Sequence, residues 1–268
     1  MTGPESRLSF RANPWHEYRL DGKRVPSVTG ILGHVGKAAP LMGWAVKETA
    51  AYALTHAGDL AVLDDEVWLR DVKGAADRAR DKAAADGTML HTLAETLIDG
   101  HPMPEHVLTD GEPVPVPGHV RDMATQLARF LDAWDVQPVL TEAMVFHDGY
   151  QYAGRIDLVA DLADGHRWLL DYKTSQSGIW PRDGLQLTAY ERASHYVSED
   201  DGDLAMAGLG IEQVGAVWVR PDAYELVPVR HDDAAWSYFL HAGAVADWSS
   251  QHRKHWISDP LTTPEAVA

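Results

Sequence analysis

The character of this chain changes at Val139, from largely helical to strand-bearing, and that change limits the folds open to it. Before it, apolar residues recur three and four apart. Val120, Met123, Ala124, Leu127, Leu131 and Trp134 mark an amphipathic helix. Helices are also predicted over Pro40–Leu54, with Leu41, Trp44, Ala45 and Tyr52 near one face, and over Asp65–Ile98, cut into two or three pieces at Gly74 and Gly87. A weak alternation from Phe10 to Val28 carries the hairpin signal Asp21-Gly22, and Ser27 and Thr29 offer caps for a short helix. The frequent prolines between Gly100 and Gly118 mark a loop.

From Val139 the pattern is that of strands. Val139–Phe146, Tyr152–Leu162 and Arg167–Thr174 form a predicted three-strand meander, turned at Asp148-Gly149 and Asp164-Gly165. Pro181–Tyr196 returns to helix, with Pro181 suited to the first turn. Two strands, Val214–Arg220 and Tyr224–Val229, follow around Pro221-Asp222. A last helix spans Asp232–Trp256, with Trp236, Phe239, Leu240, Ala244 and Trp248 spaced for one buried face. The expected class is α/β: a sheet core flanked by helices, with a mainly helical N-terminal part (1–138), an α/β part (139–258) and a disordered tail (259–268).

Composition removes whole classes of chemistry. There is no cysteine in 268 residues, hence no disulfide framework, thiolate zinc site, iron–sulfur cluster or cysteine nucleophile. With 23 Lys+Arg against 40 Asp+Glu, the formal net charge is −17, which opposes general polyanion binding; a nucleic-acid substrate needs a local basic groove or a bound metal. The N-terminal stretch has no apolar core of a signal peptide, and no apolar run approaches the length of a membrane span. A cytoplasmic protein without membrane contact is the expectation.

Several motifs fail. Gly33-His34-Val35-Gly36-Lys37 is no phosphate loop: the first glycine of that motif is missing and Ala38 replaces the magnesium-binding hydroxyl. His252 and His255 read as a solvated helix end. Arg70, Lys73, Arg78, Arg80 and Lys82 are candidates for a DNA-facing groove, but Asp71, Asp77, Asp81 and Asp86 interleave with them, which fits a solvated ion-pair face better.

What remains is a set of polar residues in apolar strands. Asp171 and Lys173 point to one face of their strand, Leu170 and Tyr172 to the other. Charges at Asp157, Asp171 and Lys173 near a core are expensive unless they meet a metal or one another. Two carboxylates are hard donors suited to Mg²⁺ or Mn²⁺, and a lysine beside them can stabilise developing phosphate charge. An exposed salt bridge would use the same spacing. His91 with Glu95, and Gln186 with Tyr190, form i, i+4 pairs; Glu142 is a further carboxylate for the cluster, and Gly154 allows close backbone approach.

In order and spacing, His91, Gly154-Arg155-Ile156-Asp157, Asp171-Tyr172-Lys173 and Gln186-x-x-x-Tyr190 resemble the PD-(D/E)XK nuclease superfamily, and within it the RecB-like exonuclease branch. The N-terminal Val25–Leu32 and Trp44 look like bacteriophage members of that branch. The resemblance implies a restriction-endonuclease-like mixed sheet and a divalent-metal-dependent DNA exonuclease, working on linear ends in recombination, repair or phage replication, with a recombinase or helicase as partner. It implies that His91, Asp157, Asp171 and the Tyr172 carbonyl ligate Mg²⁺ or Mn²⁺, with Glu142 as an outer or second-metal carboxylate. Lys173 would position or activate the attacking water, and Gln186 and Tyr190 would contact the DNA backbone or shape the site. Some relatives pin the domain with a four-cysteine iron–sulfur cluster; here closure must rest on apolar packing, with Trp236, Phe239 and Trp248 as candidates. A catalytically silent binding component and a restriction- or repair-type endonuclease are the alternatives.

Overall fold

The computed structural model describes residues 6–11, 17–35, 38–109, 111–198, 200, 202–250 and 256–258. Gly36, Lys37, His252, His255 and the expected tail lie outside them. The chain opens with three antiparallel strands, β1 (Leu8–Arg11), β2 (Glu17–Leu20) and β3 (Lys23–Val25). The β2–β3 turn is Asp21-Gly22, both residues with positive φ, as a two-residue hairpin requires. Ser27 then caps α1 (Val28–Gly33), its side chain accepting from the Gly30 N–H. Next come α2 (Ala38–Thr55), the short α3 (Ala57–Leu60) and α4 (Asp65–Ile98).

The helix α4 is one uninterrupted rod of 34 residues, where a broken helix was expected. Two internal glycines cost about 1 kcal/mol each, and tertiary contact offsets this: α4 packs against α2 at one end and α5 at the other. The expected loop between Gly100 and Gly118 also contains structure, a hairpin of β4 (His106–Thr109) and β5 (Glu112–Pro115). It is a two-stranded ribbon, so Pro113 and Pro115 sit on an open edge where no ladder donor is needed. The helix α5 (Gly118–Ala133) follows as predicted.

The expected meander is instead a bent ribbon. Val139–Phe146 divides into β6 (Gln137–Thr141) and β7 (Met144–His147), and Tyr152–Leu162 into β8 (Tyr152–Arg155) and β9 (Leu158–Asp161). β6 pairs with β9 in one sheet and β7 with β8 in another. The two breaks face each other: the Glu142 N–H donates to the Asp157 carbonyl (2.9 Å) and the Ile156 N–H to the Ala143 carbonyl (2.9 Å). Glu142 turns the chain with a φ of 45°, a left-handed conformation uncommon for a side chain of this kind.

β10 (Arg167–Lys173) continues the first sheet. After α6 (Pro181–Glu191) the chain forms β11 (His195–Ser198) and β12 (Gly202–Ala205), then β13 (Gln213–Val219), β14 (Tyr224–Pro228) and α7 (Asp233–Ser250). Thus α6 stops earlier than expected; His195 and Tyr196 pair with Phe146 and Val145 instead, adding a strand to the second sheet. The sheet orders are β14-β13-β10-β9-β6 and β12-β11-β7-β8, with β10 and β13 parallel and their other neighbours antiparallel.

The alternation along β10 divides the core. Trp168, Leu170 and Tyr172 face α4 and α5, among Leu90, Leu93, Leu127 and Phe130. Leu169 faces α1, α6 and α7, among Ile31, Leu187 and Phe239. The five-stranded sheet is therefore covered by helices on both faces, a restriction-endonuclease-like mixed α/β arrangement. On α7 the buried residues are Ala235, Phe239, Ala242 and Ala246. Trp236 is only half-buried, Ala244 is exposed, and Trp248 is 56% exposed. Trp248 lies two residues past Ala246, about 200° around the helix, so the core is closed by Phe239 and small residues, with the half-buried Trp236 and Leu240 packed against them. No helix among the described residues is long and apolar enough to cross a membrane.

Candidate metal centre

The bend in the ribbon gathers the site. His91 projects from α4, Glu142 and Asp157 from the two facing breaks, and one donor atom from each lies within 4.8 Å of the others. His91 Nδ1 stands 3.5 Å from Glu142 Oε1 and 3.5 Å from Asp157 Oδ1. An octahedral shell at about 2.1 Å puts adjacent donors about 3 Å apart and opposite ones about 4.2 Å apart, so small side-chain rotations seat a divalent cation here. Two carboxylates and an imidazole fit that ion chemically. The other oxygen of Asp157 accepts from the Tyr172 N–H at 2.8 Å, which fixes the carboxylate. In a strand the N–H and C=O of one residue share an edge, so the Tyr172 carbonyl opens on the same side.

The electrostatics are those of a site built for a cation. Burial drives the Asp157 carboxyl up, and Asp171 and Glu142 add to this, so that it titrates near about 7 despite His91. Burial lowers the affinity of His91 for a proton, but Asp157, Glu142 and Asp171 outweigh it and raise the imidazole to about 9. Without metal, the proton on His91 stands in for the missing positive charge.

Beside this triad is a second network. Lys173 Nζ lies 2.5 Å from Asp171 Oδ2 and donates to Gln186 Oε1 at 3.2 Å. The Gln186 amide donates to Asp171 Oδ1 (2.9 Å) and to the Tyr190 hydroxyl (3.3 Å). Burial works against the Lys173 ammonium, yet Asp171 and Asp157 hold its pKa above the ordinary lysine value. Asp171 thus stands outside the three-donor group, its oxygens engaged by Lys173 and Gln186. Gln186 and Tyr190 are both buried and shape the site from within. The Tyr190 ring lies against Gly154, where a Cβ would come within 2.5 Å of it, the close approach expected at that glycine.

Sequence reasoning missed two neighbours. Asp183 is buried, accepts from the Trp180 N–H at the start of α6 (2.8 Å), and adds to the field on Lys173; its signal was an acid two residues into a proline-started helix. Arg155, quoted only as part of a motif, brings its guanidinium to 3.9 Å from Glu142. Three of the five basic residues of α4 form the expected ion-pair face: Arg78 pairs with Asp71, Arg80 with Asp77 and Asp81, and Lys82 with Asp86. Glu95 is raised by burial and by Glu142, without joining the donors.

No curated protein matches the chain. Among 14 matching chains of solved structures, that of SSO0001 aligns at 12% identity with a TM-score of 0.31, over 50% of this chain and 59% of its own, a likeness too slight to bear on function. The sequence profile of the PD-(D/E)XK nuclease superfamily matches residues 67–245, a span holding His91, the bent ribbon, Lys173 and Tyr190. By that match, over well more than half its length, the chain belongs to the PD-(D/E)XK nuclease superfamily.

Proposed function

We propose that this chain is a divalent-metal-dependent deoxyribonuclease of the RecB-like branch, hydrolysing phosphodiester bonds at linear DNA ends. The observation that carries the reading is the convergence of His91, Glu142 and Asp157 on one point beside the Lys173 ammonium. His91, Glu142 and Asp157 would hold the cation, Mg²⁺ or Mn²⁺ by the hardness of the oxygen donors, with Asp171 and the Tyr172 carbonyl as further ligands. The cation supplies polarisation of a phosphoryl oxygen and activation of the attacking water. Lys173, kept protonated by Asp171, donates to the phosphoryl oxygen on which charge develops. Gln186 fixes Lys173 and Asp171 in register, and Tyr190 fixes Gln186. The exonuclease assignment and its setting in recombination, repair or phage replication rest on the motif resemblance. So does a recombinase or helicase partner.

The test is digestion of end-labelled linear single- and double-stranded DNA with Mg²⁺, Mn²⁺ or EDTA, covalently closed circles serving as control. Asp157→Asn and Lys173→Ala are run in parallel after their folding is checked by circular dichroism. Metal-dependent loss of linear substrates alone, absent in both variants, is expected. Cutting of circles would move the assignment to an endonuclease. Metal binding without cleavage of any DNA would favour a silent binding component, and wild-type activity in folded variants would refute the site.

A further inference from the structure

The chain has far more carboxylates than cations, and most of its arginines that lie near an acid have closed on it. Arg7 binds Asp21 at 2.8 Å, Arg19 Glu17 at 2.6 Å, Arg167 Asp161 at 2.8 Å, and Arg192 Asp233 at 3.0 Å. Arg155 has not. It ends β8, two residues before Asp157, with 44% of its side chain exposed. Its nearest carboxylate oxygen, Glu142 Oε2, is 3.9 Å away, beyond hydrogen-bonding distance. Its guanidinium carbon sits 5.6 Å from the centre of the Phe10 ring, which supports the group while leaving its edge clear. No hydrogen bond from this side chain to another described residue is present. A planar fork with five N–H donors is thus held beside the metal-binding carboxylates without an acceptor of its own.

We infer that Arg155 binds a backbone phosphate of the DNA next to the scissile one, and that metal loading at Glu142 readies it to do so. This rests on the nuclease reading given above. The electrostatic step is simple. While Glu142 is a free carboxylate it attracts the Arg155 guanidinium; once the carboxylate neutralises a cation that attraction falls, and the fork turns to the incoming anion. Guanidinium geometry suits two phosphate oxygens at once. In a chain with net charge −17, such a contact supplies local attraction that the whole surface does not.

The test measures binding, not cleavage. A short blunt-ended fluorescein-labelled duplex is titrated by anisotropy with wild type, Arg155→Gln, Arg155→Ala and Arg155→Lys, in Ca²⁺ or in EDTA, across a potassium chloride series. Mn²⁺ binding to each protein is measured separately by calorimetry. In Ca²⁺, Arg155→Gln and Arg155→Ala should bind about tenfold more weakly, with the salt slope lower by about one. Arg155→Lys should recover the slope and part of the affinity. In EDTA the four proteins should be equally weak, and Mn²⁺ affinity in Arg155→Gln and Arg155→Ala should match or modestly exceed that of the wild type, because the cation that competes for Glu142 is gone. Unchanged affinity and slope in Arg155→Gln or Arg155→Ala would overturn the inference and leave the nuclease reading intact. So would loss of Mn²⁺ binding in them, which would make Arg155 a support of the metal site. Failure of the wild type to bind the duplex in Ca²⁺ would overturn both.

Discussion

Lys173 and Asp171 show what the site asks of single residues. Asp171 is 3% exposed and its neighbouring ammonium lies 2.5 Å away. Removing one member of a buried pair leaves the other uncompensated, at a cost of about 3–5 kcal/mol. Lys173→Met should therefore lower stability in chemical denaturation by about that amount. Adding Asp171→Asn should restore most of the stability and none of the cleavage; a double variant no more stable than Lys173→Met would refute the coupling. A pH dependence follows from the triad. With Asp157 raised to about 7 and His91 to about 9, the metal-free fold binds both protons more tightly than the unfolded chain. That stability is present at acidic pH, and is lost as pH rises from the ordinary carboxylate value through about 7, and from the ordinary imidazole value through about 9. A cation competes with the same protons. The stability gap between Mn²⁺ and EDTA samples, read from thermal unfolding, should thus widen from about pH 6 to about pH 9, reaching about 2.7 kcal/mol when metal is in 100-fold excess over its Kd. Asp157→Asn should flatten the gap; a gap independent of pH in the wild type would contradict the assignment.

At the level of elements, the glycines of α4 make the clearest prediction. A Cβ at Gly87 would stand 3.5 Å from Thr174 Oγ1, an ordinary contact. Gly87→Ala should then stabilise the protein by about 0.5–1 kcal/mol, read by thermal denaturation; destabilisation would mean that the helix breaks there after all. The same elements explain what the sequence could and could not disclose. Asp157, Asp171 and Lys173 were legible because charges inside apolar strands are costly enough to demand a reason. The helical His91, Gln186 and Tyr190 were marked only by i, i+4 pairing and motif order, and Glu142 only as a further carboxylate. The continuity of α4 was not legible, because packing by α2 and α5 overrides a propensity penalty and leaves no local mark. Nor was the bend at Glu142, where the chain Val139–Phe146 is as apolar as an unbroken strand; the left-handed turn is imposed by the partner break at Asp157, far along the sequence. That bend also brings Glu142 to His91 and Asp157, with Asp171 beside them against Lys173 and Gln186.

For the whole molecule, net charge and local charge act in opposite directions. The surplus of acid repels DNA at a distance, while the metal centre and its cations act at contact. Association of DNA in Ca²⁺, followed by stopped flow, should therefore quicken or stay level as salt rises from about 50 to about 200 mM, with the loss of affinity carried by faster dissociation. An association rate falling steeply with salt would point instead to a long-range basic surface. The long helix α4 has a mechanical consequence as well. Its C-terminal part is clamped in the core through Leu90, Leu93 and Ala94, whereas its N-terminal part, with α2 and α3, carries exposed Met42, Leu54, Val62 and Trp68. From Asp65 to His91 the rod is about 39 Å long, and an imidazole reaches only about 6 Å from the helix axis. About the clamp, a swing of the free end is scaled down roughly sixfold at the metal ligand. The arm is a handle with a built-in reduction gear: its tip can travel ångströms while the coordination sphere moves by tenths.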